Sequence, residues 1–548
     1  MRNVLLIFLL FCCAFLAPAQ NLVDLYDPIY QDLQQWQGAG YIDFLPNLQP
    51  WPAQRVVTSL RQLLDNPRVP VADKARATRY LNYLGSESAQ FKPMAFFNHR
   101  HEFGSDPESR TILGPGLDLD WNIHPLVSLS ASGNPTFIDH TNGIALPAYR
   151  RESIDWVPDW SDFDAFGRNI LVQTRVTSLL TLGTDSLWFS TGIGRTNFGP
   201  FYDDGIVISR NAPYGSHYSF TWHQPQFTFS MLYRPLTASR NTGAGLEPDK
   251  HMVFHSLDYR PFPWITFSFY ESLVWGQRFD LNYFVPFNSF FLAQGIGGFE
   301  GNSLLGVGGE LKPVPGLIMP LTIYADDVHF NDIVRREWDT KYKIALQLGA
   351  HWHPGAQDIP VLEFLGADYT AVMPYMYSHW DENPQNGSSW LSAFNYSNYT
   401  HLGSSIATSL RPNSDRFQIM ARTRPLAWLS VNIHTQVSRH GNASEGIIEN
   451  ASGTGTIFDP GYIGNRPTFQ RPFVDPTGQP YTRFLTQDIL ETTWQFGTEL
   501  TFDGRELLPL NRADLLLGYT FEYVRNYDLV QDDNRTRHFF RVETKVRY

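Results

Sequence analysis

From Phe91 to the end of the chain, apolar and polar residues alternate with a period of two. Tyr218, Phe220 and Trp222 interleave with Ser219, Thr221 and His223. After Gln224-Pro225 the pattern resumes as Phe227, Phe229, Met231 and Tyr233 against Thr228, Ser230 and Arg234. Leu187, Phe189, Thr191 and Ile193 alternate with Trp188, Ser190, Gly192 and Gly194, and Leu429, Val431, Ile433 and Val437 oppose Asn432, His434 and Gln436. The last two segments are the clearest. Leu515, Leu517, Tyr519, Phe521 and Tyr523 face away from Asp514, Thr520 and Glu522, and Phe540, Val542, Thr544, Val546 and Tyr548 face away from Arg541, Glu543, Lys545 and Arg547. A period of two is that of a strand, whose successive side chains point to opposite faces.

A large soluble β-sandwich would also alternate. Here, however, one face is crowded with aromatics while the other carries Arg, Lys, Asp and Glu, in segments of about ten residues, which is the pattern of a strand that meets lipid outside and water inside. Such strands must close on themselves, because an open edge cannot be satisfied in hydrocarbon. The predicted fold class is therefore an all-β transmembrane β-barrel of about 18 antiparallel strands, spanning residues 91–548. A last strand ending on an aromatic residue places Tyr548 in the periplasmic aromatic girdle, as the signal read by the barrel-assembly machinery. The segments 134–167, 235–250, 374–399, 440–490 and 526–536 are turn-rich and are expected at the extracellular end.

Before Phe91 the period changes. Leu25, Ile29, Leu33 and Trp36 fall at helical spacing before Gly38 and Gly40. Pro52 precedes Val56, Val57, Leu60, Leu63 and Leu64, and VADKARATRYLNYLGS at 71–86 forms a third amphipathic stretch. Residues 20–90 thus predict a small N-terminal α-helical bundle. It would bury its stripes as a periplasmic cap or, on a sharper reading, touch peptidoglycan. Ahead of it, Arg2, the apolar run Val4–Leu16 and Ala17-Pro18-Ala19 predict a signal peptide, residues 1–19, cleaved after Ala19. The apolar run is too short for a spanning helix.

Composition sharpens this picture. Cys12 and Cys13 are the only cysteines and both fall in the leader, so disulfide and thiolate chemistry are not expected after export. A net charge of −12 speaks against nucleic acid as a partner. No G-x-S-x-G, Walker loop or H-E-x-x-H is present, so no catalytic residue and no cofactor are predicted. His99/His101 and His351/His353 are i, i+2 pairs that share a strand face. They read either as metal ligands or, with no carboxylate fixed beside them, as polar lumen or rim residues, and no metal is predicted. Asn386, Asn395 and Asn398 stand in N-x-S/T sequons and read as polar loop residues.

One block is more distinctive: GIGRTNFGPFYDDGIVISRNAPYG, residues 192–215. With Gly194, Arg195, Gly199, Pro200, Ser209, Asn211 and Ala212 it resembles the Wzi-type capsule-assembly family, whose members carry a similar GR…GP…S-NA arrangement. Asn211-Ala212 runs directly into Pro213, where that pattern has a spacer. Further matches follow in order: Trp51-Pro52 before an amphipathic helix, residues 302–332 with an acidic loop at Asp326 and Asp327, residues 363–380, and residues 399–417. The resemblance implies an outer-membrane barrel with its helical bundle at the periplasmic end, monomeric, in contact with outer-membrane lipid. It also implies a lectin-like, non-catalytic role in binding capsular or other exported polysaccharide at the cell surface.

Under that reading Arg195 and Arg210 pair with acidic sugars, or else serve as lumen charges neutralising Asp203 and Asp204. Trp380, Trp390, Tyr396 and Tyr399 are candidate sugar-stacking residues or, alternatively, aromatics of the membrane interface. The rival function is an outer-membrane porin or solute channel. The two differ in whether the lumen is open, and the helices together with the long loops give this chain material to block both mouths.

Overall fold

The computed structural model describes residues 22–547, apart from positions 24, 85–88, 105–106, 125, 144–161, 166, 202–203, 241–245, 277–278, 298–300, 328–342, 355–360, 379–393, 403, 443–450, 453–461, 464–465, 468–483 and 505–511. The leader, Tyr548, Trp380, Trp390 and Asp203 lie outside the described residues, as does the side chain of Asp327.

Eighteen strands run antiparallel and close into a barrel. In chain order they are β1 Gln90–Phe103, β2 Ser109–His124, β3 Val127–Asn142, β4 Arg168–Gly183, β5 Leu187–Gly194 and β6 Gly215–His223. Next come β7 Phe227–Arg240, β8 Leu246–Phe262, β9 Ile265–Gly276, β10 Asn302–Val314, β11 Leu317–Asp327 and β12 Lys343–Trp352. The ring is completed by β13 Leu362–Val372, β14 Ser414–Leu426, β15 Leu429–Gly441, β16 Leu490–Asp503, β17 Arg512–Arg525 and β18 Arg535–Arg547. The seam joins β1 to β18 in a continuous register from Met94↔Arg547 to Phe103↔His538, which leaves no open edge. Alternation decides the faces: Leu515, Leu517 and Phe540 are exposed on the outside, while Arg541, Glu543, Lys545 and Arg547 line the lumen.

Among the described residues three helices precede the barrel: α1 Ile29–Gly38, α2 Ala53–Asp65 and α3 Val71–Leu84. Their stripes meet in one core of Leu33, Trp36, Val56, Leu60, Leu63 and Tyr80, which also buries Trp188 of β5. The bundle sits at the end of the barrel that carries the short turns. Thr58 donates to Asp185 in the β4–β5 turn at 3.0 Å, and Arg422 of β14 donates to Gln31 at 2.8 Å. Gly38 packs so closely on the His353 ring that a Cβ there would overlap it. The bundle thus caps the end with the short turns, opposite the long connections.

The lumen departs from a simple polar bore. On the half formed by β7–β13 the inward side chains include Leu232, Phe254, Tyr270, Leu304, Tyr324 and Val372, all buried in a second core with Ile206, Ile208, Tyr377, Tyr399 and Ile406. Those last five belong to connections that enter from the long-loop rim. Apolar side chains face inward here because polypeptide, rather than water, fills this half.

Candidate functional site: a plugged lumen and its cavity

The described residues of two segments make the plug: 195–214, between β5 and β6, and 373–413, between β13 and β14. The first turns inward at Gly199, whose φ of +113° suits glycine, followed by Pro200. It then pairs Asn197–Phe198 with Leu48–Gln49 of the N-terminal segment, and Phe198 with Ile208. Ser209 shapes its return: Asn211 N–H donates to Ser209 Oγ at 3.2 Å and Ala212 N–H to the Ser209 carbonyl at 3.0 Å. The positions that carry the resemblance to the Wzi-type family therefore build this inserted turn.

Asp204 ties the two segments together. Its carboxylate accepts from Ser209 Oγ at 3.1 Å, Thr408 Oγ1 at 2.7 Å, Ser409 Oγ at 2.7 Å and the Ser409 N–H at 3.1 Å. Arg416 of β14 neutralises it at 3.3 Å. Backbone buried away from a sheet needs donors and acceptors, and the inward polar residues of the wall supply the donors. Arg234 donates to the Pro213 carbonyl at 2.6 Å and Lys343 to the Ser378 carbonyl at 3.0 Å. Lys250 donates to Asn398 Oδ1 at 2.6 Å and the Thr400 carbonyl at 3.0 Å, and Asn302 to the Ser397 carbonyl at 3.1 Å.

The candidate residues fall into this frame in different ways. Arg195 and Arg210 bracket Tyr26, their guanidinium carbons 5.7 and 4.5 Å from its ring centroid, and Arg195 also stacks on Tyr214 at 4.3 Å. Tyr26 Oη donates to the Arg210 carbonyl at 3.0 Å, so both arginines latch the plug to the bundle. Tyr399 is fully buried between Tyr324 and Tyr377, at centroid distances of 6.1 and 5.7 Å, while Tyr396 is half-buried. Asp326 forms an ion pair with Lys343 at 3.6 Å, and Asp327 ends β11. His99 lies on the outer face of β1, bonded to Thr111 at 2.9 Å. His351 faces the lumen and meets Asp368 at 2.7 Å. Among the described residues no group of three metal-ligating side chains converges.

A cavity of about 750 Å³ lies between the bundle, the plug and the polar faces of β1–β4 and β14–β18, and reaches Glu310, His351 and Asp368 on the filled side. Nine lysines and arginines and nine carboxylates line it. Several pair across strands: Lys92 with Asp120 at 2.8 Å, Arg547 with Asp118 at 2.6 Å. Towards the outer rim, Arg537 clasps Glu102 at 2.7 and 2.8 Å and Glu522 at 3.2 Å. Gln495 then donates to Glu522 at 2.7 Å and Gln436 to Gln495 at 2.8 Å. Glu102, Glu522, Gln495 and Gln436 are all buried in this network.

A closed antiparallel barrel with a lipid-facing apolar belt and a polar, partly filled interior defines an outer-membrane β-barrel protein. Among solved structures the chain is similar to Wzi of Escherichia coli, an outer membrane protein involved in group 1 capsule assembly and a carbohydrate-binding β-barrel. The TM-score is 0.56 at 11% identity, over 96% of this chain and 98% of that one. Two Pseudomonas aeruginosa proteins also match: OccK5 (OpdH), with a TM-score of 0.43 at 10% identity, and OprD, with 0.44 at 9%. Each match covers 84% of this chain, with 98% and 94% of the respective neighbour. No family model and no curated protein matches the sequence. At 11% identity the likeness to Wzi is one of fold.

Proposed function

We propose that this protein is exported by its N-terminal leader to the outer membrane, where it binds an exported polysaccharide non-catalytically and retains it at the cell surface. The observation that carries the reading is the plug. Two inserted segments and a helical bundle occupy the space a diffusion channel needs open, and buried lysine and arginine side chains fix them there. The motif block at 192–215 and the likeness in fold to Wzi, itself described as carbohydrate-binding, support a glycan as the ligand. Arg195 and Arg210 act in this scheme by setting the plug, and Trp380, Trp390 and Tyr396 are the proposed stacking residues of the outer loop. A ring that meets a sugar face adds about 0.5–1.5 kcal/mol beyond its burial.

The test is a deletion strain assayed for cell-bound against released polysaccharide, with glycan-array binding of the purified barrel. Loss of retention together with glycan binding supports the proposal; unchanged retention and a blank array remove it. The rival reading, a solute channel, draws on the charged cavity, and stable large conductance steps in planar bilayers would favour it.

A further inference from the structure

Residues 279–297, in the connection between β9 and β10, fold back over the outside of the barrel. A 3-10 turn, Leu281–Phe284, and a helix, α4 Phe290–Gly297, lie against the outward faces of β7, β8 and β9. Phe229, Met231, Val253, Leu273 and Trp275, which alternation turns towards lipid, are buried beneath Tyr283, Phe290 and Ala293. The far side of this flap is apolar as well. Leu281 is 70% exposed and Leu292 72%, with Phe279, Val285, Phe287 and Phe291 exposed between them. A patch of this size belongs against an apolar partner.

The flap's polar groups point the other way. Glu271 of β9 faces outward from the wall and is buried under the flap. Its carboxylate accepts the Phe290 N–H at 3.0 Å and the Phe291 N–H, capping α4, and it pairs with His255 Nε2 at 3.1 Å. Asp280 accepts from the Asn282 N–H at 2.9 Å, and Asn288 donates to the Asn282 carbonyl at 3.0 Å. At about 3.3 Å per residue, Glu271 lies about 16 Å along the strand from Gly276, where β9 ends, below the outer rim. On strands tilted by about 40° this is about 12 Å below the rim, inside an outward apolar band about 25 Å tall. The exposed side of the flap also continues into the lipid belt of the same strands, where Leu257, Phe267 and Phe269 are exposed.

We infer that residues 279–292 form a membrane-inserted flap whose outer side is occupied by acyl chains of the outer leaflet, with Glu271 and His255 as its buried latch. Irregular backbone survives at membrane depth only where its polar groups are satisfied by protein. The carboxylate cap and the turn bonds meet that requirement, and the flap in turn keeps the Glu271–His255 pair out of hydrocarbon.

The test uses the full chain carrying Cys12→Ser and Cys13→Ser, refolded into phosphatidylcholine vesicles. Leu281→Cys and Leu292→Cys are each labelled with a small fluorophore. Phe269→Cys serves as the belt reference and Val530→Cys, in the β17–β18 connection, as the aqueous reference. Heat-modifiable migration confirms that each variant is folded. Brominated acyl chains are expected to quench both flap labels at least half as strongly as the belt label, while iodide leaves them bright. Iodide quenching equal to that at Val530→Cys overturns the inference. So does protection from both quenchers, in which case coupling between labels on separate copies identifies a second chain as the occupant.

Discussion

Arg76 of α3 and Glu363 of β13, 287 positions apart in the chain, meet at 2.8 Å where the bundle enters the barrel. Arg424 reaches Glu363 at 2.6 Å and Asp32 at 3.4 Å, and Arg422 reaches Glu363 at 3.2 Å. Burial works against the charge on Arg76, but Asp32, Glu363 and Asp73 together hold its pKa well above the usual arginine value. Asp73 shows the opposite balance: burial raises its pKa, and the neighbouring Arg76 only partly restores it. Removing one member of a buried ionic cluster strands the others and costs about 3–5 kcal/mol. Arg76→Met is therefore expected to leave the barrel heat-modifiable while the bundle becomes a substrate for added protease.

The plug gives a second expectation. In Asp204→Ala, Arg416 and four donors of the segments 195–214 and 373–413 lose their shared acceptor. Leaving such groups unsatisfied costs about 1–3 kcal/mol each where they stay buried. Planar-bilayer recording of this variant should show conductance steps that the parent chain lacks, and an equally silent variant would contradict the assigned role of Asp204.

Acid should loosen the plug through His401. Its Nδ1 accepts the Thr237 N–H at 3.1 Å while its Nε2–H donates to the Tyr214 carbonyl at 3.0 Å, which uses both nitrogens of a neutral ring. Burial, then the adjacent Arg234, push its pKa from 6.5 down to about 3, with Lys250 adding to the effect. The unfolded chain therefore binds the proton first, so stability is full above pH 6.5 and falls as pH drops from there towards about 3. Melting followed by heat-modifiable migration between pH 7.5 and 4 should show this loss. His401→Gln should make the slope shallower without abolishing it, because His353 is also buried with its pKa depressed by burial and by His351.

The face assignment is testable on neighbouring residues. Leu517 points to lipid, whereas Leu516 lines the cavity. Arginine at a lipid-facing site near mid-membrane costs about 2–4 kcal/mol, so Leu517→Arg should lower the urea midpoint of refolding far more than Leu516→Arg.

Much of this fold is legible in the sequence because a barrel strand writes its environment every second residue. Arg541, Glu543, Lys545 and Arg547 face the lumen as their spacing predicts, and Phe540 faces out. What covers a face is not written there. Phe229 and Met231 point outward as expected, yet protein rather than lipid buries them. A signal for this existed: Met231-Leu232-Tyr233, Met252-Val253-Phe254 and Leu273-Val274-Trp275 break the alternation with three apolar residues in a row. A run of that kind means both faces of the strand are buried, inside by the plug and outside by the flap. Tyr399 was legible only as a loop aromatic, because its enclosure by Tyr324 and Tyr377 depends on a connection that turns inward. Asp204 was legible only as a charge near Arg195 and Arg210; its actual partners Thr408, Ser409 and Arg416 lie more than two hundred positions away.

The short pairing of Leu48–Gln49 with Asn197–Phe198 has a mechanical consequence. The first pair belongs to the N-terminal segment at the inner mouth, the second to a connection that hangs from the outer rim. Asn47 is anchored to the barrel as well, its Nδ2 donating to Asp258 at 2.9 Å. A pull on the outer end of the 195–214 connection reaches the bundle through this short ladder, and from there β13 and β14 through Glu363, Arg422 and Arg424. Tension applied at the long-loop end is carried in series down the axis of the molecule and returned to the wall at its base, so the hydrogen bonds at that rim do not bear the load alone.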